Sequence, residues 1–148
     1  MTNEEVVRRY AAAQIEGDFD TLDELRHAEW CADWPQSGER IRGSANNRHI
    51  MENYPGGAPR LVKQTRLVGS EDRWATSPVG GAFRVVGEGE NWWGEWEMIY
   101  PDGRQWLTVI LLQLRDGKIW REVNYWSEPF EPPAWRSQWV EPLTEDNS

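Results

Sequence analysis

The stretch 6-VVRRYAAAQIEGDFDTLDEL-25 reads as two helices broken at one glycine. Upstream, Thr2 and Glu5 have the spacing of a capping box. Val6, Val7, Tyr10, Gln14 and Ile15 then share one face, and Gly17 supplies the stop. A second short helix follows Asp20, with Leu22 and Leu25 turned inward. Farther on, Ser44 is placed to cap a third helix through about Tyr54, which 55-PGG-57 ends. Asn47, Ile50, Met51 and Tyr54 lie on its inner face. Arg48, Glu52 and Asn53 point away, and His49 lies off the inner face as a solvated histidine.

Outside these helices the chain alternates as strands do. Glu29 to Trp34 is a strand closed by Pro35 and a PQSGE turn. Leu61 to Val68 and Arg73 to Ser77 form one long or broken strand, and Phe83 to Val86 a short one beyond a glycine-rich joint. Two hairpins follow. In 100-YPDGR-104, Pro101 and Asp102 fit a type I turn with Gly103 in the left-handed bulge. The stretch 115-RDGK-118 permits the same geometry with Gly117 in the bulge, and a two-residue turn at either site would slip the register by one.

With both hairpins closed by a bulge, Met98 lies beside Trp106 and Trp126, and Trp96 beside Thr108 and Asn124. Gly94 lies beside Ile110 and Glu122, and Leu112 beside Trp92 and Trp120. All share one sheet face. The opposite face carries Glu95, Glu97, Leu107, Val109, Leu111, Ile119, Arg121, Val123 and Tyr125. Helices at one end of the chain and a meander of long strands at the other predict an α+β layer structure. The sheet must curl around the helices, leaving a conical cavity at one end. The tail after Trp126 is broken by prolines, with Trp135 and Trp139 spaced to pack it on the body. It ends in a polar, disordered TEDNS.

The chain has 148 residues, enough for one well-formed core, and 11 of them are tryptophan. So many indoles suit a core or an aromatic-lined ligand cavity. A net charge of −9 argues against nucleic acid and anionic membranes as partners. No apolar run reaches the roughly 20 residues of a membrane span. MTNEE lacks the start of a signal peptide, and Cys31 is the lone cysteine, so a cytoplasmic location is the expectation. Cys31 is read as a small buried residue, with nucleophile as the alternative. His27 and His49 have no metal-ligand spacing, so no metal site is assigned; no cofactor is expected either.

Three stretches, 6-VVRRYAAAQIEGDFDTLDEL-25, 33-DWPQSGERIRG-43 and 114-LRDGKIWREVNYW-126, together resemble the ketosteroid-isomerase and SnoaL-like branch of the nuclear transport factor 2-like (NTF2-like) superfamily. The resemblance covers nearly the whole chain. It implies a single domain over residues 1–140 with a polar tail at 141–148, and three N-terminal helices packed on a strongly curved, mostly antiparallel sheet. It also implies a cavity for a small apolar or cyclic ligand, and often a homodimer through the outer sheet face. The fold hosts isomerases, dehydratases, cyclases, epoxide hydrolases and many non-enzymes. Against ketosteroid isomerase, the helix-1 tyrosine falls on Tyr10. The general-base position falls on Trp34 with Asp33 next door, and the protonated aspartate falls near Ile110. Against SnoaL-like cyclases, Glu122 keeps its place and Asn124 stands where an acid-base aspartate is found. The Asp-Arg-Asp arrangement of limonene-epoxide-hydrolase-like members finds no match.

These readings leave named candidates. Glu122, among apolar neighbours, suits a general base or acid; the alternative is a buried glutamate paired with Arg66, Arg84 or a backbone amide. Asn124 can orient a ligand or bridge to the first helix. Tyr10 can donate to a substrate oxygen or serve as a core ring. Asp33 is a base shifted by one position, although alternation puts it outside if Trp34 is inside. Gln14 and Asn47 are candidate polar lining. Trp96, Trp106, Trp120 and Trp126 are core or ligand clamps. The expected activity is cofactor-independent proton transfer on an apolar cyclic molecule; the alternative is a non-catalytic binding or dimerisation module.

Overall fold

In a computed structural model, residues 1–69, 73–76, 82–85 and 89–143 are described, and 73–76 and 82–85 by their backbone alone. The predicted ends at Ser77 and Val86 and the TEDNS tail lie outside them. Helix α1 (Asn3–Glu16) begins with the expected reciprocal Thr2–Glu5 box and ends at Gly17, whose φ of 69° is the left-handed stop. Helix α2 (Phe19–Leu25) starts two residues earlier than read, because Asp18 rather than Asp20 accepts the first free amide, from Thr21. Strand β1 (Arg26–Trp34) follows without a loop and turns back through β2 (Glu39–Arg42) into α3 (Ser44–Glu52). Ser44 does not cap α3. Its hydroxyl goes instead to Asp23 and Arg26.

Strands β3 (Arg60–Gly69), β6 (Asn91–Ile99), β7 (Gln105–Arg115) and β8 (Lys118–Ser127) complete a six-stranded sheet. Its order is β2-β1-β8-β7-β6-β3, antiparallel except where β1 runs parallel to β8. Strands β4 (Arg73–Thr76) and β5 (Ala82–Val85) pair separately, so the long or broken strand of the sequence reading is broken. Val6, Val7 and Tyr10 of α1 join Leu22, Leu25, Trp30, Trp96, Ile110, Leu112, Leu114 and Ile119 in one core between helices and sheet. This is the α+β cone that the sequence predicts.

The first hairpin closes as expected. Gly103, at φ 88°, donates its N–H to Tyr100, and Met98 faces Trp106. The second differs. Asp116 (φ 53°) and Gly117 (φ 72°) are both left-handed, the signature of a two-residue type I′ turn. That moves the register by one, and Leu114 faces Ile119. A bulge at Trp120 then moves it by one more, so that Gln113 faces Arg121. Two single slips preserve parity. Leu112 faces Glu122, Ile110 faces Asn124 and Thr108 faces Trp126, two residues from the expected partners but on the expected face. Only the residues between the slips exchange sides. Ile119, expected outside, is fully buried, and Trp120, expected inside, lies against the Arg115 and Arg121 guanidiniums.

Because nothing lies within 4 Å of a Cβ built on Gly117, only backbone strain opposes a side chain there. Gly117→Ala is expected to cost about 1–2 kcal/mol in urea denaturation. A neutral result would mean that the turn relaxes to another type.

The tail does not pack as its spacing suggested. A short 3-10 helix, Ala134–Trp139, leaves Trp135 and Trp139 about three-quarters exposed.

Candidate functional site

One end of the cone holds a cavity of about 390 Å³, within the range of small-molecule sites. Its walls are mostly apolar, formed by Phe19 and Leu22 from α2, Met51 from α3, Leu61 from β3, Met98 from β6 and Ile110 from β7. Trp30, Trp34 and Trp126 add indole surface, and Gly17, Glu52 and Arg60 stand at the exposed rim.

Glu122 is the acidic group at its inner end, only 4% exposed. Strand β8 aims it inward beside Ala32 of β1. Its Oε1 accepts from the Tyr10 hydroxyl and from Trp30 Nε1 at 3.1 Å. Among the described residues its Oε2 has only a long approach of 3.5 Å, from Asn124 Nδ2. Trp34 Nε1 donates to Asn124 Oδ1 at 3.1 Å, which fixes the amide with its nitrogen toward Glu122. The carboxylate therefore has one oxygen tied down and one left for the cavity.

Behind it runs a chain of polar contacts. The Tyr10 oxygen accepts from Arg26 Nε at 2.9 Å, and Arg26 Nη1 donates to Ser44 Oγ at 2.8 Å. The guanidinium lies 3.9 Å from the centre of the Trp30 ring, a cation–π distance. Burial opposes the charge on Arg26, but the Tyr10 oxygen, Glu122 and Asp23 outweigh it and keep the group protonated. Burial, reinforced by the neighbouring Glu122, pushes the Tyr10 phenol well above its ordinary value of 10.0.

Stability should follow that proton. Folded Tyr10 keeps its proton where the unfolded chain has lost it, so the unfolded state binds fewer protons above about pH 10. The associated stability is complete below that pH and is lost as pH rises further. Tyr100, pushed up to about 12 by burial and by the Tyr54 hydroxyl, acts in the same direction. Tyr10→Phe is expected to cost about 1–3 kcal/mol at pH 8 and to flatten, not abolish, the decline in urea-denaturation stability between pH 9 and 11. An unchanged slope would show that the Tyr10 proton is not linked to folding.

The structure brings Glu122, Asn124, Trp126, Gln14 and Asn47 to the cavity and leaves the other candidates elsewhere. Tyr10 is a core ring whose hydroxyl is engaged on both sides, so it positions Glu122 from behind. Asp33 faces outward in a forked pair with Arg40 of β2, at 2.5 and 2.9 Å, and Trp34 lines the cavity. Strand alternation allows only one of the two inside. Trp96 is buried in the core, Trp106 packs 5.5 Å from the Tyr100 ring, and Trp120 is turned out by the bulge. Arg66 pairs with Glu95, not Glu122, and the side chain of Arg84 lies outside the described residues.

No family model and no curated protein matches the chain. Among solved structures, an NTF2-like protein of unknown function from Burkholderia xenovorans LB400 is 32% identical to it. The match covers 96% of this chain and 95% of that one, with a TM-score of 0.66. The chain belongs to the NTF2-like family. Two more distant structures share the fold. A candidate ketosteroid isomerase from Kribbella flavida DSM 17836 is 22% identical, over 97% of this chain and 91% of that one, with a TM-score of 0.72. A candidate polyketide cyclase from Pseudomonas putida KT2440 is also 22% identical, over 84% and 91%, with a TM-score of 0.56.

In this NTF2-like chain the site includes residues that the sequence did not single out. Arg26 and Trp30 complete the surroundings of Glu122, and Tyr54 and Tyr100 share a hydrogen bond of 3.1 Å in the cavity wall. Among the described residues no group of three or more His, Cys, Asp or Glu side chains is placed to hold a metal. No described helix is long and apolar enough to cross a membrane.

Proposed function

We propose that the cavity carries out cofactor-independent proton transfer on an apolar cyclic small molecule: isomerisation, dehydration or water addition. Glu122 is the proton carrier, and Asn124 places a substrate oxygen or a water. The observation that carries this reading is the asymmetry of the Glu122 carboxylate. Two donors hold Oε1, while Oε2 has a single long contact among the described residues, on a side chain that lines a mostly apolar cavity. An acceptor so oriented and so little solvated is what general-base catalysis uses.

A substrate-independent probe tests it. In the Kemp elimination of 5-nitrobenzisoxazole, a base removes the ring C–H proton while the N–O bond breaks, releasing a coloured cyanophenolate. The chain should accelerate this reaction, and Glu122→Gln should lose the acceleration. Equal rates for the two proteins would overturn the proton-carrier role and favour the binding-module reading.

The outer face supports assembly whichever reading holds. Leu107, Leu111 and Tyr125 are 54%, 39% and 43% exposed on neighbouring strands, and the described tail does not shield its own aromatics. Such a patch is unusual on a monomer, and a second copy through this face is the partner we assign. Sedimentation at micromolar concentration should give a dimer, and Leu111→Glu with Tyr125→Lys a monomer. A monomeric parent protein would refute the interface.

A further inference from the structure

Arg26, the first residue of β1, is 6% exposed, and no carboxylate forms a direct ion pair with it among the described residues. Its nearest negative groups each stand one hydroxyl away, Glu122 beyond Tyr10 and Asp23 beyond Ser44. Two of its nitrogens are committed, Nε to Tyr10 and Nη1 to Ser44. Nη2 finds no acceptor among the described residues, although the guanidinium is part of the cavity wall. Stacking on Trp30 fixes the plane of the fork, so Nη2 is held in place.

Asn47 repeats the pattern. It is 8% exposed, lines the same cavity, and its side chain makes no hydrogen bond to a described residue. It lies three residues after Ser44 on α3, hence on the helix face that Arg26 already touches. A buried charge is ordinarily paired directly. Among the described residues Trp106 Nε1 alone is a fully buried side-chain polar atom without a partner, so the Arg26 and Asn47 donors are not sealed off from the cavity that both residues line. Here an immobilised cation and a nearby amide both present donors to a mostly apolar cavity, apart from Glu122 and Asn124.

We infer that Arg26 and Asn47 form an anion-binding pole, and that the ligand is an apolar ring bearing one carboxylate. One carboxylate oxygen accepts from Arg26 Nη2 and the other from Asn47 Nδ2, while the ring lies against Trp34, Trp126 and Ile110. The proposal deepens the reading of this cavity as the ligand site and names its ligand class. It does not depend on Glu122 transferring a proton. A neutral carbonyl satisfies the donors but leaves the cation without a directly bonded anion, so the charged group is favoured.

The test is binding, measured by titration calorimetry with 2-naphthoate, its neutral shape mimic 2-naphthamide, and naphthalene. The carboxylate should bind about tenfold or more tightly than the amide, the advantage of a charge-assisted hydrogen bond. Arg26→Gln should abolish that preference. Asn47→Leu, which leaves the Arg26 network intact, should weaken the carboxylate severalfold relative to naphthalene. If the amide binds as tightly as the carboxylate, or neither binds more tightly than naphthalene, the anion pole is overturned. A carboxylate preference without Kemp activity would keep this pole and discard the proton-transfer reading.

Discussion

Glu122→Gln is expected to leave the fold intact and to lower the Kemp elimination rate about 10²–10⁴-fold, the usual contribution of a positioned base. The retained fold follows from the neighbours. Tyr10 O–H and Trp30 N–H both donate to one atom of residue 122. A glutamine must therefore place its carbonyl oxygen there, since its NH₂ would meet two donors. That choice turns the amide nitrogen toward the cavity, where the carboxylate had an acceptor. The variant keeps shape and both inner hydrogen bonds and inverts the polarity of the one atom that faces the ligand. Glu122→Ala is a poorer test, because it also leaves Trp30 and Tyr10 without an acceptor, at about 1–3 kcal/mol each. If Glu122→Gln unfolds near the parent midpoint and retains the parent rate, the base lies elsewhere.

The fold was legible where local rules are strong. The capping box at Thr2–Glu5, the Gly17 stop and the PDG bulge each depend on a few adjacent residues, and each formed as read. The RDGK turn was not decided locally, because Asp116 tolerates the left-handed region nearly as Gly117 does. Placing Glu122 inward succeeded because the bulge at Trp120 cancelled the parity error of the turn, and nothing local announces that bulge. Trp120 and Ile119 lie between the two slips, and they alone changed sides.

The site was half legible for a different reason. Glu122 and Asn124 lie on a regular strand whose alternation can be followed. Arg26 follows α2 directly, with no glycine or proline to mark the junction, and reads as helix end or loop. Pairing of β1 with β8 then slips between Arg26 and Cys31, so counting back from Trp34 does not give its direction. Trp30 donates to a carboxylate 92 residues away, a contact no spacing encodes. The best available signal was an arginine amid tryptophans in a strand reaching the core.

Arg26→Met is expected to be the most destabilising single change at the site, about 3–5 kcal/mol by urea denaturation. Methionine can still pack on Trp30, so most of the loss is electrostatic. It deprives Tyr10 and Ser44 of a donor and strips Glu122 of its nearest cation. The same argument sets the result of a double-mutant cycle. With Glu122→Gln already in place no buried carboxylate remains to be compensated, so Arg26→Met should cost about 1–3 kcal/mol less there than in the parent. The sign matters more than the size. A positive coupling means that the two charges sense each other across the Tyr10 oxygen, so the cation that would hold a ligand anion is also linked to the proposed base. Strict additivity would make Arg26 a packing and hydrogen-bonding residue, and the electrostatic link between the two halves of the cavity would be lost.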